Sequence, residues 1–336
     1  MTTQTLDPVP ADFRERRLGR IASVGKLAAG NALAVGVLIL CLAFYSQSHL
    51  FLSAANIRSI ATQSSITLIV AVPACLLLMS GEVDLSVGST VALSAVVAGL
   101  GFTQWQLPIV LAILLGLACG LMVGALNALL VVRFQFSSLI VTLGSLSLVR
   151  GIAEGIGPNP IYNFPVGFVK FGNGTWLGIP YLTLVAAVVT LLGGFYLALS
   201  PTGKHVRALG VSKDAAFLSG IGVRRLTVLL FVATGFAAGL GGILTAARLG
   251  SSPSSTAGLN LELDVLTAVL LGGTTFGGGK GTVRGTVLGV VFLVALQSGL
   301  TIQNVAPAWS TAAKGTALMA AALLNFISVR RQSAYS

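Results

Sequence analysis

The stretch LSVGSTVALSAVVAGLGFTQWQLPIVLAILLGLACGLMVGALNALLVV, residues 85–132, contains no Asp, Glu, Lys or Arg. A membrane-spanning helix needs roughly 20 mostly apolar residues. This stretch is too long for one such helix. Its turn-like segment 101–108 (GFTQWQLP), in which Trp105 is suited to a membrane interface, divides it into two. These residues therefore predict two consecutive membrane spans.

The same pattern recurs along the chain, because further uncharged stretches cover residues 27–57, 59–81, 171–203, 226–247 and 285–313. The 336 residues are 55% hydrophobic and 9% charged, whereas soluble domains average about 25% charged residues. This composition excludes an ordinary soluble enzyme and a disordered chain. A transmembrane barrel would show alternating segments of about 10 residues, and the chain lacks them. The predicted fold class is an all-α polytopic membrane protein.

We predict ten spans in a transmembrane domain of residues 30–328, flanked by tails at 1–29 and 329–336. The spans are 30–47, 60–80, 86–101, 108–132, 138–153, 180–199, 226–249, 262–277, 284–303 and 311–328. Basic residues concentrate in cytoplasmic segments. With both termini in the cytoplasm, fifteen of the twenty Lys and Arg lie on that side, the exceptions being Arg58, Arg150, Lys170, Arg248 and Lys314. This bias predicts cytoplasmic termini, a loop at 154–179 on the opposite, outer side of the membrane and a cytoplasmic loop at 200–225.

The net charge of +11 does not indicate a nucleic-acid partner, because membrane topology already accounts for the basic residues. Cys41, Cys75 and Cys119 lie in apolar stretches without metal-ligand spacing, so we predict no metal site. The segment GGTTFGGGKGT, residues 272–282, is similar to a phosphate loop. It has Thr274 and Gly281 where that loop requires Gly and Ser/Thr. We therefore predict no bound cofactor and interpret the segment as a tight cytoplasmic turn.

Polar side chains near or within the spans are the candidates for a substrate path. Four acids stand out, because an acid at mid-membrane costs at least ~2.5 kcal/mol and usually serves a function. An alternative is that these acids sit at span ends and cap helix N-termini, as Asp84 before Leu85 would suit. Polar residues inside spans also commonly hydrogen-bond to neighbouring helices. The candidates are Glu82, Asp84, Asn127, Thr142, Glu262 and Asp264.

Glycines at a spacing of four form two sets, Gly116, Gly120 and Gly124, and Gly281, Gly285 and Gly289. Such a spacing puts a smooth ridge on one helix face and predicts close helix packing. Each set follows an acidic tetrapeptide, EVDL at 82–85 and ELDV at 262–265. Transporters are often built from repeats, so this echo indicates a two-fold internal repeat, with chance in a glycine-rich chain as the alternative.

Taken in order, the motifs resemble the membrane permeases of ATP-binding-cassette importers for simple sugars, the ribose/xylose/galactose type. GEVDLSVGS at 81–89 is similar to that family's G-G-[IV]-D-L-S-V-G-S, although Glu82 stands where glycine is frequent. The further motifs are GALN at 124–127, IVTLG at 140–144, Arg150-Gly151, AAFLSGI at 215–221, ARLG at 247–250, ELD at 262–264 and LLGGT at 270–274. The resemblance covers about residues 59–326.

The resemblance implies a multi-pass protein of the bacterial inner membrane, surrounded by lipid, with no enzyme activity of its own. Its implied partners are a cytoplasmic ATPase subunit that binds ATP, a second permease copy or paralogue, and a periplasmic sugar-binding protein. Such a permease must receive work from the ATPase through a protein contact. Loop 200–225 fits a short coupling helix, with Ser212 as N-cap, Asp214 in the first turn and Gly220 as terminator. Its small-sided docking surface would be Ala215, Ala216 and Ser219.

Three other functions stay open at this level. In an ion-coupled secondary transporter, Glu82, Asp84, Glu262 and Asp264 would be coupling sites. A branched-chain amino acid or nucleoside permease of the same superfamily is the alternative for the substrate, although the motif at 81–89 favours sugars. An intramembrane enzyme is disfavoured, because the sequence carries no catalytic motif.

Overall fold

A computed structural model of the chain describes the backbone of residues 32–333 and the side chains of residues 32–323. The predicted N-terminal tail, 1–29, lies outside the described residues, as do the side chains of Arg330 and Arg331. The cytoplasmic position of the termini therefore stays a prediction. The last helix continues to Ser333, so the C-terminal tail predicted from residue 329 begins inside a helix.

The structure is mostly helical, which confirms the all-α class. In chain order the elements are α1 (Ala32–Gln47), a 3-10 turn (His49–Leu52), α2 (Ala54–Met79), α3 (Val87–Thr103), α4 (Ile109–Arg133), α5 (Ser138–Ile156), α6 (Val166–Asn173), β1 (Thr175–Trp176), β2 (Ile179–Pro180), α7 (Tyr181–Leu199), α8 (Pro201–Val211), α9 (Lys213–Leu218), α10 (Val223–Leu249), α11 (Leu261–Leu271), α12 (Val283–Ile302) and α13 (Pro307–Ser333). The two strands form an antiparallel hairpin with Thr175 opposite Pro180.

Six helices within the described residues are long and apolar enough to cross a membrane: α2, α4, α5, α7, α10 and α12. Two further apolar helices, α1 and α3, are shorter. The count of ten spans stays a prediction. The six helices establish an integral membrane protein by their length and composition.

The eighth predicted span, 262–277, is wrong in length. Helix α11 has 11 residues and ends at Leu271, so at 1.5 Å per residue it covers about 16 Å, roughly half a membrane. Gly273 has φ +87° and donates its N–H to the Leu270 carbonyl, while Thr274 donates to Val269, which is a Schellman ending. Residues 272–279, which follow α11, are uncharged and rich in glycine. Hydropathy alone does not distinguish such a glycine-rich segment from an apolar helix.

The core is built around α10, which packs against α4, α3 and α2. Glycine permits the α4–α10 contact: a Cβ on Gly124 would lie 2.6 Å from the Phe231 carbonyl oxygen, and one on Gly120 would lie 2.8 Å from Gly239 Cα. A Cβ on Gly116 would lie 2.8 Å from the Ser94 carbonyl oxygen of α3. The first glycine set therefore lies at the closest helix contacts of the core.

The second glycine set lies at the joint between α11, α12 and the C-terminal end of α2. A Cβ on Gly289 would lie 2.8 Å from the Ala268 carbonyl carbon, and one on Gly285 would lie 2.9 Å from that of Gly272. Gly281 precedes α12 and faces Met79 of α2, with 2.7 Å from its Cβ position to Met79 Cγ. Except at Gly281, which faces side chains, both sets thus lie where a side chain would separate neighbouring backbones.

Candidate functional site

The chain leaves helical geometry between α2 and α3, inside the protein. Helix α2 ends at Met79 and is followed by Ser80 as C-cap and by Gly81, whose φ is +85°. Gly81 and Glu82 donate their N–H groups to the carbonyls of Leu78 and Leu77 at 2.9 and 3.2 Å. This Schellman ending turns the chain into a non-helical segment, residues 82–86, which we call the linker. The linker is almost entirely buried, so its polar groups need partners within the protein.

A chain of buried hydrogen bonds supplies partners for the linker. Ser145 of α5 donates its hydroxyl to Asn127 Oδ1 at 2.5 Å, and Asn127 Nδ2 of α4 donates to Ser86 Oγ at 2.9 Å. The Ser86 hydroxyl and backbone N–H then donate to Asp84 Oδ1 at 2.6 and 2.8 Å. Two predicted residues, Asp84 and Asn127, therefore belong to one network that joins the linker to α4 and α5.

The predicted capping role of Asp84 is only approximately right. The N-cap residue of α3 is Ser86, and its own side chain makes no capping hydrogen bond. Asp84 instead binds the N–H and hydroxyl of that N-cap residue, so it fixes the turn that precedes the helix. A carboxylate close to the start of α3 is also favoured by the helix dipole.

Helix α5 braces the linker from a second direction. Val83 donates its N–H to Ser138 Oγ at 3.3 Å, and the Thr142 hydroxyl donates to the Ser138 carbonyl at 2.8 Å and lies 3.5 Å from the Val83 carbonyl. Thr142 therefore lies at the linker, its contacts are with backbone carbonyls, and its place on a substrate path stays a prediction.

A second break precedes α11, at residues 250–260, which we call the re-entrant segment. Arg150 of α5 donates from Nη1 to the carbonyls of Ser254 and Ala257, both at 2.8 Å. The hydroxyls of Ser252 and Ser254 donate to the carbonyls of Ala95 and Gly157, each at 2.6 Å. These bonds hold irregular backbone against α3 and α5, with Ser252, Ser254 and Ala257 buried in protein.

The two breaks meet at the start of α3. Gly258 and Glu262 lie against Gly88, and a Cβ on Gly88 would collide with the Glu262 carboxylate and lie 2.5 Å from the Gly258 carbonyl oxygen. Glu262 Oε2 is buried and accepts no hydrogen bond from the described residues. Both Asp84 and Glu262 border a cavity of about 20 Å³, enough for about one water molecule. Its other walls are Ala74, Leu78, Val83, Leu85, Val265, Leu266 and Val269.

The other two acids point elsewhere. Asp264 pairs with Lys314 of α13, with 2.7 Å between Oδ2 and Nζ. Lys314 borders a separate open cavity of about 410 Å³ between α12 and α13, with Gln297, Thr301, Asn304, Ser310 and Thr311 on its wall. Glu82 forms an ion pair with Lys213, the first residue of α9. The structure thus brings together Asp84, Asn127, Thr142 and Glu262, but not Glu82 and Asp264.

The loop at residues 200–225 contains the short helix that its residues predict. Ser212 is the N-cap of α9 and accepts the Ala215 N–H at 3.2 Å, with Asp214 in the first turn. Gly220, at φ +79°, ends the helix in a Schellman motif. The predicted docking surface of Ala215, Ala216 and Ser219 needs correction at Ala216. This side chain is 3% exposed and packs inward as part of the hydrophobic core.

Large apolar side chains take the place of Ala216 on the outer face of α9. Phe217 is 70% exposed and Leu218 is 84% exposed, and Val211, just before the helix, is also exposed. Ala215 and Ser219 are exposed beside them. The face that the loop presents is therefore apolar and bulky rather than small-sided.

Several site residues escaped prediction from sequence: Ser86, Ser138, Ser145, Arg150, Lys213 and Lys314. Serines are too common to be singled out. A signal existed for Arg150 and Lys314, because both violate the positive-inside bias, and each has a partner inside the fold. An intramembrane cation that breaks the topology rule is a candidate for an internal ion pair or a carbonyl clamp.

Comparisons with known proteins identify the family to which the chain belongs. Residues 56–322 match the family described as branched-chain amino acid transport system / permease component, and the chain belongs to this family. It is 32% identical to the ribose import permease of Haemophilus influenzae, over 84% of this chain and 88% of the relative. It is 32% identical to the galactose/methyl galactoside import permease of Escherichia coli K12, over 89% and 94%.

A third relative is the D-allose transport system permease of Escherichia coli K12, which is 32% identical over 82% of this chain and 84% of its own length. No solved structure matches the chain. The protein is thus a transport permease by family.

Proposed function

We propose that this chain is the permease subunit of an ATP-binding-cassette importer that moves a monosaccharide across the bacterial inner membrane. The observation that carries the proposal is the similarity along more than four-fifths of the chain to permeases named for ribose, galactose and allose. The linker, the re-entrant segment and the half-length α11 support it, because transporter sites commonly form where helices are discontinuous.

In the proposed importer, the cavity between Asp84 and Glu262 lies on the substrate path, and this structure represents its closed state. Its volume of about 20 Å³ is far too small for a sugar. A monosaccharide can pass this level only when the linker and α11 move apart. Carboxylate and amide groups such as those of Asp84, Glu262 and Asn127 are suitable acceptors and donors for sugar hydroxyls.

ATP hydrolysis would take place on a separate ATPase subunit. The glycine-rich segment 272–282 is a turn that packs on α2, with Gly279 donating its N–H to the Met79 carbonyl at 2.8 Å. The ATPase would dock on the exposed apolar face of α9 formed by Val211, Phe217 and Leu218. Large apolar side chains are unfavourable in water, and an exposed group of them commonly marks the site where a partner binds. A second permease copy and a periplasmic sugar-binding protein complete the proposed importer.

Docking on α9 is tested by Phe217→Ser, which removes apolar area without disturbing the core. We expect the ATPase subunit to separate from the permease on purification. Phe134→Ser is a matched control, because Phe134 is a similarly exposed phenylalanine at the C-terminal end of α4. Retention of the ATPase by Phe217→Ser to the same extent as by Phe134→Ser would contradict docking on this face.

The transported substrate is tested in proteoliposomes that hold the purified importer with ATP on the ATPase side. Labelled ribose, galactose, allose and leucine are offered in separate experiments. We expect ATP-dependent uptake of at least one sugar and no uptake of leucine. Uptake of leucine alone would establish the alternative of a branched-chain amino acid permease. A further experiment with labelled uridine tests the nucleoside alternative, which uptake of uridine alone would establish.

An ion-coupled secondary transporter is the second candidate, favoured by one observation. The buried Glu262 Oε2 accepts no hydrogen bond from the described part of the chain and lies beside the cavity shared with Asp84. Vesicles that contain the permease alone, under a proton or sodium gradient, separate the two functions. Accumulation of sugar in vesicles that lack the ATPase subunit would contradict the proposed ATP-driven importer. The variants Asp84→Asn and Asp84→Leu then separate a hydrogen-bonding role from a charge role, because only a charge role makes both lose transport equally.

A further inference from the structure

One ion pair joins the cytoplasmic helix α9 to the interior of the membrane domain. The ammonium group of Lys213 donates to Glu82 Oε1, across 131 residues of sequence. The Lys213 side chain is 47% exposed, whereas that of Glu82 is 8% exposed. The pair therefore has one end at the cytoplasmic surface and the other inside the protein.

Glu82 is the first residue of the linker, so the pair acts on the backbone that carries Asp84. The opposite end of the linker is held by the hydrogen bonds of Ser86 and Asn127. On the cytoplasmic side, α9 rests on the core mainly through Ala216, and the rest of its face is exposed. A short helix with so little anchorage can shift as a unit when a partner pushes on it.

We propose that Lys213 and Glu82 are positioning residues that transmit the displacement of α9 to the linker, and thereby to the cavity between Asp84 and Glu262. This inference rests on the proposed docking of an ATPase on α9. The physical reason is the burial of Glu82: separation from Lys213 would leave a buried carboxylate without its cation, which is strongly unfavourable. The linker therefore follows α9 instead of detaching from it.

The test is the amount of sugar transported per ATP hydrolysed by the reconstituted importer, with ribose, galactose and allose as probes. Coupling free energies between sites typically correspond to factors of about 5–150. We expect Lys213→Gln and Glu82→Gln each to lower this ratio by at least about 5-fold, while the ATPase stays bound. Lys213→Arg keeps the charge and should keep the ratio. The double variant Glu82→Lys with Lys213→Glu should recover part of it.

Lys204→Gln is the matched control, because it removes one positive charge from the same cytoplasmic loop at an exposed position of α8. Its ratio should equal that of the wild type. An unchanged ratio in Lys213→Gln would overturn the inference while leaving the importer intact. Loss of the ATPase from Lys213→Gln would also overturn it, because Lys213 would then be a docking contact. A wild-type complex without sugar-stimulated hydrolysis would instead contradict the proposed function itself.

Discussion

Gly88→Ala addresses the contact between the two helix breaks most directly. A Cβ at this position would collide with the Glu262 carboxylate and lie 2.5 Å from the Gly258 carbonyl oxygen, whereas real Cβ contacts stay above 3.0 Å. The Glu262 side chain can rotate away, but the Gly258 carbonyl belongs to backbone held at φ +64°. The re-entrant segment must therefore move away from α3. Overpacking of this kind costs about 1–3 kcal/mol, and we expect the free energy of unfolding to fall by that amount.

The measurement is an unfolding titration in mixed detergent micelles, with sugar uptake recorded in parallel. Gly144→Ala is the control, because a Cβ on Gly144 of α5 would meet nothing within 4 Å. Alanine also favours a helix by about 0.5–1 kcal/mol over glycine, so this control should be neutral or stabilising. Adding Glu262→Ala to Gly88→Ala should recover only part of the loss, since the Gly258 carbonyl remains. Equal stability of Gly88→Ala and the wild type would refute the packing argument.

Three further outcomes follow from the same contacts. Asn127→Leu should lower the free energy of unfolding by about 1–3 kcal/mol, because its two serine partners lose a buried hydrogen bond; a stability equal to wild type in the same titration would contradict the network. Gly120→Ala should cost about 1–3 kcal/mol by pushing α4 from the Gly235 carbonyl, whereas Gly151→Ala, in open space, should not. Arg150→Met should speed backbone hydrogen exchange in residues 250–260, and unchanged exchange would show that the carbonyl clamp is dispensable.

Hydropathy and charge spacing were sufficient to predict the membrane class, since a helix in lipid must be long, apolar and uncharged. The same measures failed at α11. A glycine-rich stretch such as 272–279 lacks charge, yet its backbone forms a turn rather than a helix. Hydropathy sums side chains, whereas the end of a helix is decided by backbone geometry at positions such as Gly273.

The candidate site was only partly readable from sequence. Rarity identified the acids, because only nine Asp and Glu occur in the whole chain. The rarity of acids does not show which of them share a cavity. The similar motifs at 82–85 and 262–265 also adopt different structures. The first is a non-helical linker, and the second is the first turn of α11. Their partners, Lys213 and Lys314, lie 131 and 50 residues away, so only the tertiary fold brings them together.

The distribution of hydrogen bonds indicates which surfaces part during transport. On one side, the linker is tied to α4 and α5 by the buried bonds of Asn127 and Ser145 and by the partly buried bond of Ser138. On the other side, no hydrogen bond joins the linker to α11 within the described residues, and Glu262 Oε2 accepts none at all. Breaking a satisfied buried network leaves several polar groups unpaired, while separating apolar walls does not. The path should therefore open between the linker and α11, with Asp84 and its network moving as one body.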